Sequence, residues 1–104
     1  FWSPSSTDTG AALIGLQGVS VANDATSDVT FDAAVDVTDN GTGTVEDVLV
    51  SPVSANVTVK AAAADTYTYF QVSRNATSGS DSFTGDVRLL GIKIFYTTDA
   101  ANDA

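Results

Sequence analysis

The chain has 104 residues, 43% of them apolar and 16% charged, with thirteen Asp/Glu against four Lys/Arg and a net charge of −9. This fits one domain with a modest core and excludes global disorder. The acid excess argues against a nucleic-acid backbone or an anionic membrane as partner, because both are held by Lys and Arg.

Cys and His are both absent. A disulfide framework, thiolate chemistry, a zinc or copper site and a Ser-His or Cys-His catalytic pair are therefore unexpected. No apolar run nears the roughly 20 residues of a membrane helix, and no signal peptide is visible. The chain also lacks Met and opens in strand-like residues. The expectation is a single domain over 1–104 that is part of a longer product, with earlier strands completing its sheet.

In chain order, Phe1-Trp2 reads as the tail of a strand stopped by Pro4, and 5–10 as a polar loop. Ala11–Val21 carries Leu13, Ile14, Leu16, Val19 and Val21. Gly15 and Gly18 would each cost a helix about 1 kcal/mol. A strand is preferred, with the glycines marking a bulge or a close approach. Val29–Val37 alternates apolar and polar residues, as a half-exposed strand does. Asn40-Gly41 is the best turn signal, leading into Val45–Val53. Val57 and Val59 alternate within 55–60, and 61–65 reads as a loop.

Thr66–Arg74 is a clear strand, with Tyr67, Tyr69 and Gln71 on one face and Thr68, Phe70 and Val72 on the other. Residues 75–85 form a polar loop anchored by Phe83. Asp86–Thr98 has the densest β-branched and aromatic content, apolar on both faces, and reads as the central strand. Residues 99–104 read as a flexible tail. Several strands separated by Gly/Asn/Asp/Ser loops, with no convincing helix, predict an all-β antiparallel sandwich, jelly-roll-like in its crossovers.

Candidate chemistry is sparse. Asp36, Asp39 and Asn40 supply oxygen ligands of the kind calcium takes, near a turn. The simpler reading is turn geometry. Glu46-Asp47 cannot act as a glycosidase pair, since adjacent strand residues point to opposite faces; the chain is expected not to be an enzyme. Tyr67, Tyr69 and Tyr96, with Trp2, offer a sugar-stacking platform; the simpler reading is that Tyr67 and Tyr69 share a strand face packed against a partner strand or subunit. Arg88 and Phe95 join them as interface candidates; the simpler role of Arg74, Arg88 and Lys93 is pairing with the many carboxylates. The triplets at Asn40, Asn56 and Asn75 match the glycosylation acceptor pattern, which arises by chance in an Asn/Thr-rich chain.

Two stretches carry a resemblance. Phe70, Val72, Arg74 and Ala76 fit a "φ-x-V-x-R-x-A" strand. Asp81 lies in the Ser/Asp loop, and Asp86, Leu89, Leu90, Gly91, Ile92, Ile94 and Tyr96 fit "D-[ALV]-x-L-L-G-[IV]-x-[IL]-x-[FY]". Near the start, Ile14-Gly15-Leu16-Gln17-Gly18-Val19 fits a "W/I-G-L-Q-G-V" strand. Together they resemble the C-terminal part of small virion structural proteins of tailed bacteriophages of marine and cyanobacterial type. The resemblance implies a jelly-roll-like β-sandwich that assembles with copies of itself and other virion proteins, as a decoration, fibre or appendage protein located in the virion. It carries over no catalytic or cofactor residue. A carbohydrate- or receptor-binding module and an extracellular or cell-surface filament subunit are the alternatives.

Overall fold

A computed structural model describes residues 1–97. The described chain is all-β, with no helix and two sheets. Its strands are β1 (Trp2–Pro4), β2 (Ala11–Val21), β3 (Val35–Asn40), β4 (Val59–Lys60), β5 (Tyr67–Arg74) and β6 (Val87–Leu89). The expected 99–104 tail lies outside the described residues.

The central strand is β2. One of its edges pairs antiparallel with β5, from Ile14↔Arg74 to Val21↔Tyr67. The other edge is shared. β3 pairs antiparallel with the first half (Ala11↔Asn40 to Leu16↔Val35), and β4 pairs parallel with the second (Gly18↔Val59, Val19↔Lys60). Both antiparallel registers are unbroken, so the glycines of β2 mark no bulge. Gly18 marks a close approach: a Cβ there would fall about 3 Å from the Phe70 ring and the Val59 methyl.

The second sheet pairs β1 with β6, Trp2↔Leu89 to Pro4↔Val87. On the other edge of β1, Trp2 and Leu49 exchange backbone hydrogen bonds of 2.9 and 2.8 Å. The sheets meet at one corner, where Trp2, Ala12 and Phe83 are buried and Ile14, Leu49 and Val87 pack on them. Trp2 and Phe83 meet edge to face, with centroids 5.6 Å apart at 84°, a favoured aromatic geometry. The Trp2 indole N–H donates to Asp39 Oδ2 at 2.8 Å, so the largest buried side chain keeps a partner for its one polar atom.

Several expectations are corrected. Asp86–Thr98 is not the central strand. Only Val87–Leu89 is strand, at a sheet edge, and residues 90–97 lie outside any strand. The ladder ends where Leu90 and Gly91 donate to the Phe1 carbonyl (2.9 and 3.3 Å); beyond it no described backbone group pairs with the ribbon. The strand expected at Val29–Val37 begins at Val35. Residues 27–34 instead cross one face of the β2 sheet. There Gln17 Nε2 donates to the Asp32 carbonyl (2.7 Å), Lys60 Nζ to the Thr30 carbonyl (2.9 Å) and the Tyr69 hydroxyl to the Ser27 carbonyl (2.8 Å). Side chains thus take up carbonyls that a ladder would use.

Asn40-Gly41 makes no tight hairpin between Val29–Val37 and Val45–Val53. Gly41 donates to the Gly10 carbonyl (3.0 Å) and sits against the Asp8 backbone and the Phe83 ring, where a Cβ would collide. Val45–Val53 holds only the Leu49 bridge. The buried anchor at Phe83, the loop at 61–65 and the β2 and β5 strands are as read from the sequence.

Candidate functional site

Two polar nodes hold the corner. β5 leaves β2 at Arg74, and the 75–85 loop takes its place alongside β2. The Ser82 and Phe83 amides donate to the Ala11 carbonyl (2.8 and 3.0 Å). The Ala11 amide donates to Ser82 Oγ and the Leu13 amide to Asp81 Oδ2, both at 2.9 Å. Arg74 fixes this loop. Its Nε and Nη2 donate to the two oxygens of Asp81 (2.9 and 2.8 Å), Nη1 donates to the Gly85 carbonyl (2.6 Å), and Nη2 also donates to the Phe83 carbonyl. The guanidinium lies 5.6 Å from the Phe83 ring centroid.

The Asp81 side chain is 1% exposed and that of Arg74 19%. The hydrogen bonds from Arg74 hold the Asp81 carboxyl below its usual range, against a burial that pushes it up; the same contact raises Arg74. Arg74 and Asp81, both named in the resemblance, are thus brought together. With four of the five guanidinium N–H groups donating and both carboxylate oxygens accepting, this pair is a clip.

The second node is Asp8. It accepts the Thr84 amide (2.7 Å), the Thr84 hydroxyl (2.6 Å) and the Gly10 amide (2.9 Å), which lowers its pKa from 3.8 to about 2.

The proposed calcium ligands do not converge. Asp36 stands opposite Gly15 and Asp39 opposite Ala12, so they point to opposite faces of the sheet. Asp39 is engaged by Trp2, and Asn40 Nδ2 donates to the Thr9 carbonyl (3.1 Å). Among the described residues no group of three or more acidic side chains is placed to hold a metal ion.

The interface candidates fall in two places. Tyr67 and Tyr69 lie side by side on β5, ring centroids 5.5 Å apart, with Phe31 edge-on to Tyr69 at 5.8 Å. They line a shallow depression of about 370 Å³ with Val21, Asn23, Ser27 and Asp65. Tyr67 is 71% exposed. Arg88 and Phe95 lie on the C-terminal ribbon: Arg88 faces Glu46 across 3.6 Å in solvent, and Lys93 sits 5.1 Å from the Phe95 centroid. Sequence reasoning missed the extent of that ribbon's exposure. Leu89, Leu90, Ile92, Ile94, Phe95 and Tyr96 are all exposed, Phe95 at 67% and Tyr96 at 82%. The signal is in the sequence as a strand apolar on both faces, which fits either cover on both sides or cover on one and an interface on the other.

No protein-family model, curated protein or solved structure matches the chain.

Proposed function

We propose that this chain is a non-enzymatic structural component of a bacteriophage virion, a decoration, fibre or appendage protein that works by self-association. We read its two sheets as the layers of a β-sandwich with jelly-roll-like connections. One observation carries the reading: six large apolar side chains stand in solvent within the eight residues from Leu89 to Tyr96, the densest such run, with Val45, Val48, Val50 and Val53 a sparser second one. A contiguous apolar surface of this kind marks an association site. The resemblance of Phe70–Ala76 and Asp86–Tyr96 to phage virion proteins supplies the setting. The working parts are passive: a corner clipped by Arg74 and Asp81, an acidic exterior that keeps the subunit soluble, and an apolar ribbon left for assembly.

Light scattering of the purified chain, with and without a calcium chelator, tests this. A defined oligomer indifferent to the chelator is the expected result. A monomer at all concentrations would sink the assembly reading. It would favour the second one, a carbohydrate- or receptor-binding module using the Tyr67–Tyr69 depression, for which the exposed tyrosine pair is the supporting observation. A glycan titration of wild type against Tyr67→Ala would then decide it.

A further inference from the structure

We propose that the ribbon Leu90–Tyr96 of one copy adds as a strand to the free edge of β5 in a second copy, joining subunits head to tail. The inference rests on the self-association reading and names its two surfaces.

The donor is a seven-residue stretch with strand composition, held in its own chain only at Leu90 and Gly91, whose backbones bond Phe1, and with no described backbone partner from Ile92 to Tyr96. Leu90, Ile92, Ile94 and Tyr96 form one row at period two, and Gly91, Lys93 and Phe95 the other. The acceptor is the edge of β5 that faces away from β2. No backbone hydrogen bond from the described residues reaches it along Tyr67–Arg74. That edge is eight residues long, unbroken in register and free of proline and bulge, which makes it a template for pairing. At about 3.3 Å per residue both stretches span some 25 Å. The outer edge of β3 is a poorer acceptor, being shorter and carrying Asp36 and Asp39.

The side chains agree. With the Leu90/Ile92/Ile94 row laid beside Phe70 and Val72, the existing apolar row of β5 is extended. Phe95 then falls on the side of Tyr67 and Tyr69, the aromatic pairing that stabilises neighbouring strands. Lys93 falls on that same side, where Asp65 borders Tyr67. Charge agrees as well. Residues 87–97 carry Arg88 and Lys93 and no carboxylate, in a chain of net charge −9. A cationic ribbon on one copy and an acidic body on the next attract, whereas two bodies repel.

A head-to-tail subunit needs two patches, one as donor and one as acceptor. Because donor and acceptor are different surfaces, the contact generates a closed ring or an open fibre.

The test is light scattering of the intact chain combined with hydrogen exchange on the same samples, across a concentration series. The expected wild-type result is association, with amides of both 67–74 and 92–96 slowing at least about tenfold as subunits associate. Ile92→Glu/Ile94→Glu should run at the 10.6 kDa of one chain, lose both protections and keep the emission of the buried Trp2. If that double variant changes the Trp2 emission, Phe95→Ser, at a ring 67% exposed, replaces it with the same expectation. An oligomer that persists in the variant, or that protects 92–96 without 67–74, overturns strand addition while leaving the structural-subunit reading standing. Amides 92–96 already protected in dilute monomer overturn it too, since that stretch is then paired within its own chain. A wild type that never associates overturns both.

Discussion

The two ends of the chain make a controlled pair. The corner around Trp2, Ala12 and Phe83 and the ribbon from Leu89 to Tyr96 are comparably apolar, yet the first is buried and the second stands in solvent. The difference lies in the polar atoms. At the corner every backbone group that β5 abandons finds a substitute partner in Asp81, Ser82 or Phe83, and Arg74 locks the substitutes in place. On the ribbon nothing described receives the backbone beyond Gly91, so apolar side chains alone do not bury it. Apolar content supplies the drive to bury surface; a satisfied backbone decides where that drive can act.

The sharpest way to break this contrast is Arg74→Ala. It leaves the Asp81 carboxylate buried without its cation and frees the Phe83 and Gly85 carbonyls. Removing one partner of a buried pair costs about 3–5 kcal/mol. Urea unfolding followed by Trp2 fluorescence should show that loss. A loss below about 1 kcal/mol would mean that the loop is held by its backbone bonds alone.

Next comes Phe83→Ala, expected to cost about 3–4 kcal/mol through lost burial and the cavity left against Trp2. Its emission spectrum should also shift red, because the indole loses its covering ring. An unshifted spectrum would place the seal on Trp2 elsewhere, in Leu49 and Val87.

Acid should act on the corner before it acts on the ribbon. Asp81 and Asp8 both titrate lower folded than unfolded, Asp8 at about 2 against an ordinary 3.8. Their contribution is therefore complete above the unfolded value and is lost as pH falls toward the folded one. The urea midpoint should stay level from about pH 7 to 5 and fall between about pH 4 and 2. The Asp8→Asn and Asp81→Asn chains should each show a shallower fall. A midpoint that rises in this window would reverse the sign and remove both carboxylates from the account.

How much of this was legible follows from the range of each interaction. β2 and β5 could be read because period-two alternation and β-branched residues are local signals, and Phe83 because it is the one large apolar side chain in a polar loop. Val29–Val37 misled because alternation extends six residues ahead of the pairing. Residues 29–34 keep the pattern but give their carbonyls to Gln17 and Lys60. The two-residue parallel strand β4 falls at the end of the alternation at 55–60, but nothing local names its partner, which lies about 40 residues earlier in β2. Asp39 looked like a turn residue or a metal ligand. Its actual partner, the Trp2 indole, lies 37 positions away. Arg74 and Asp81 were both singled out, but the loop that folds one onto the other leaves no periodicity to read.

The smallest expected effect sharpens the contrast from the ribbon's side. Tyr96→Ser removes a side chain that is 82% exposed, and exposed substitutions of this kind stay within about 0.5 kcal/mol. In dilute solution its unfolding midpoint should match wild type. At concentrations where subunits associate, the variant should fall behind, because a contact between copies stabilises by mass action and so depends on concentration. A loss of 2 kcal/mol or more in dilute solution, on the scale of burying a large apolar side chain, would mean that the ribbon packs on its own body. The corner and the ribbon would then be two parts of one core. A gap that opens only as concentration rises keeps them distinct, the corner holding the subunit together and the ribbon holding subunits to each other.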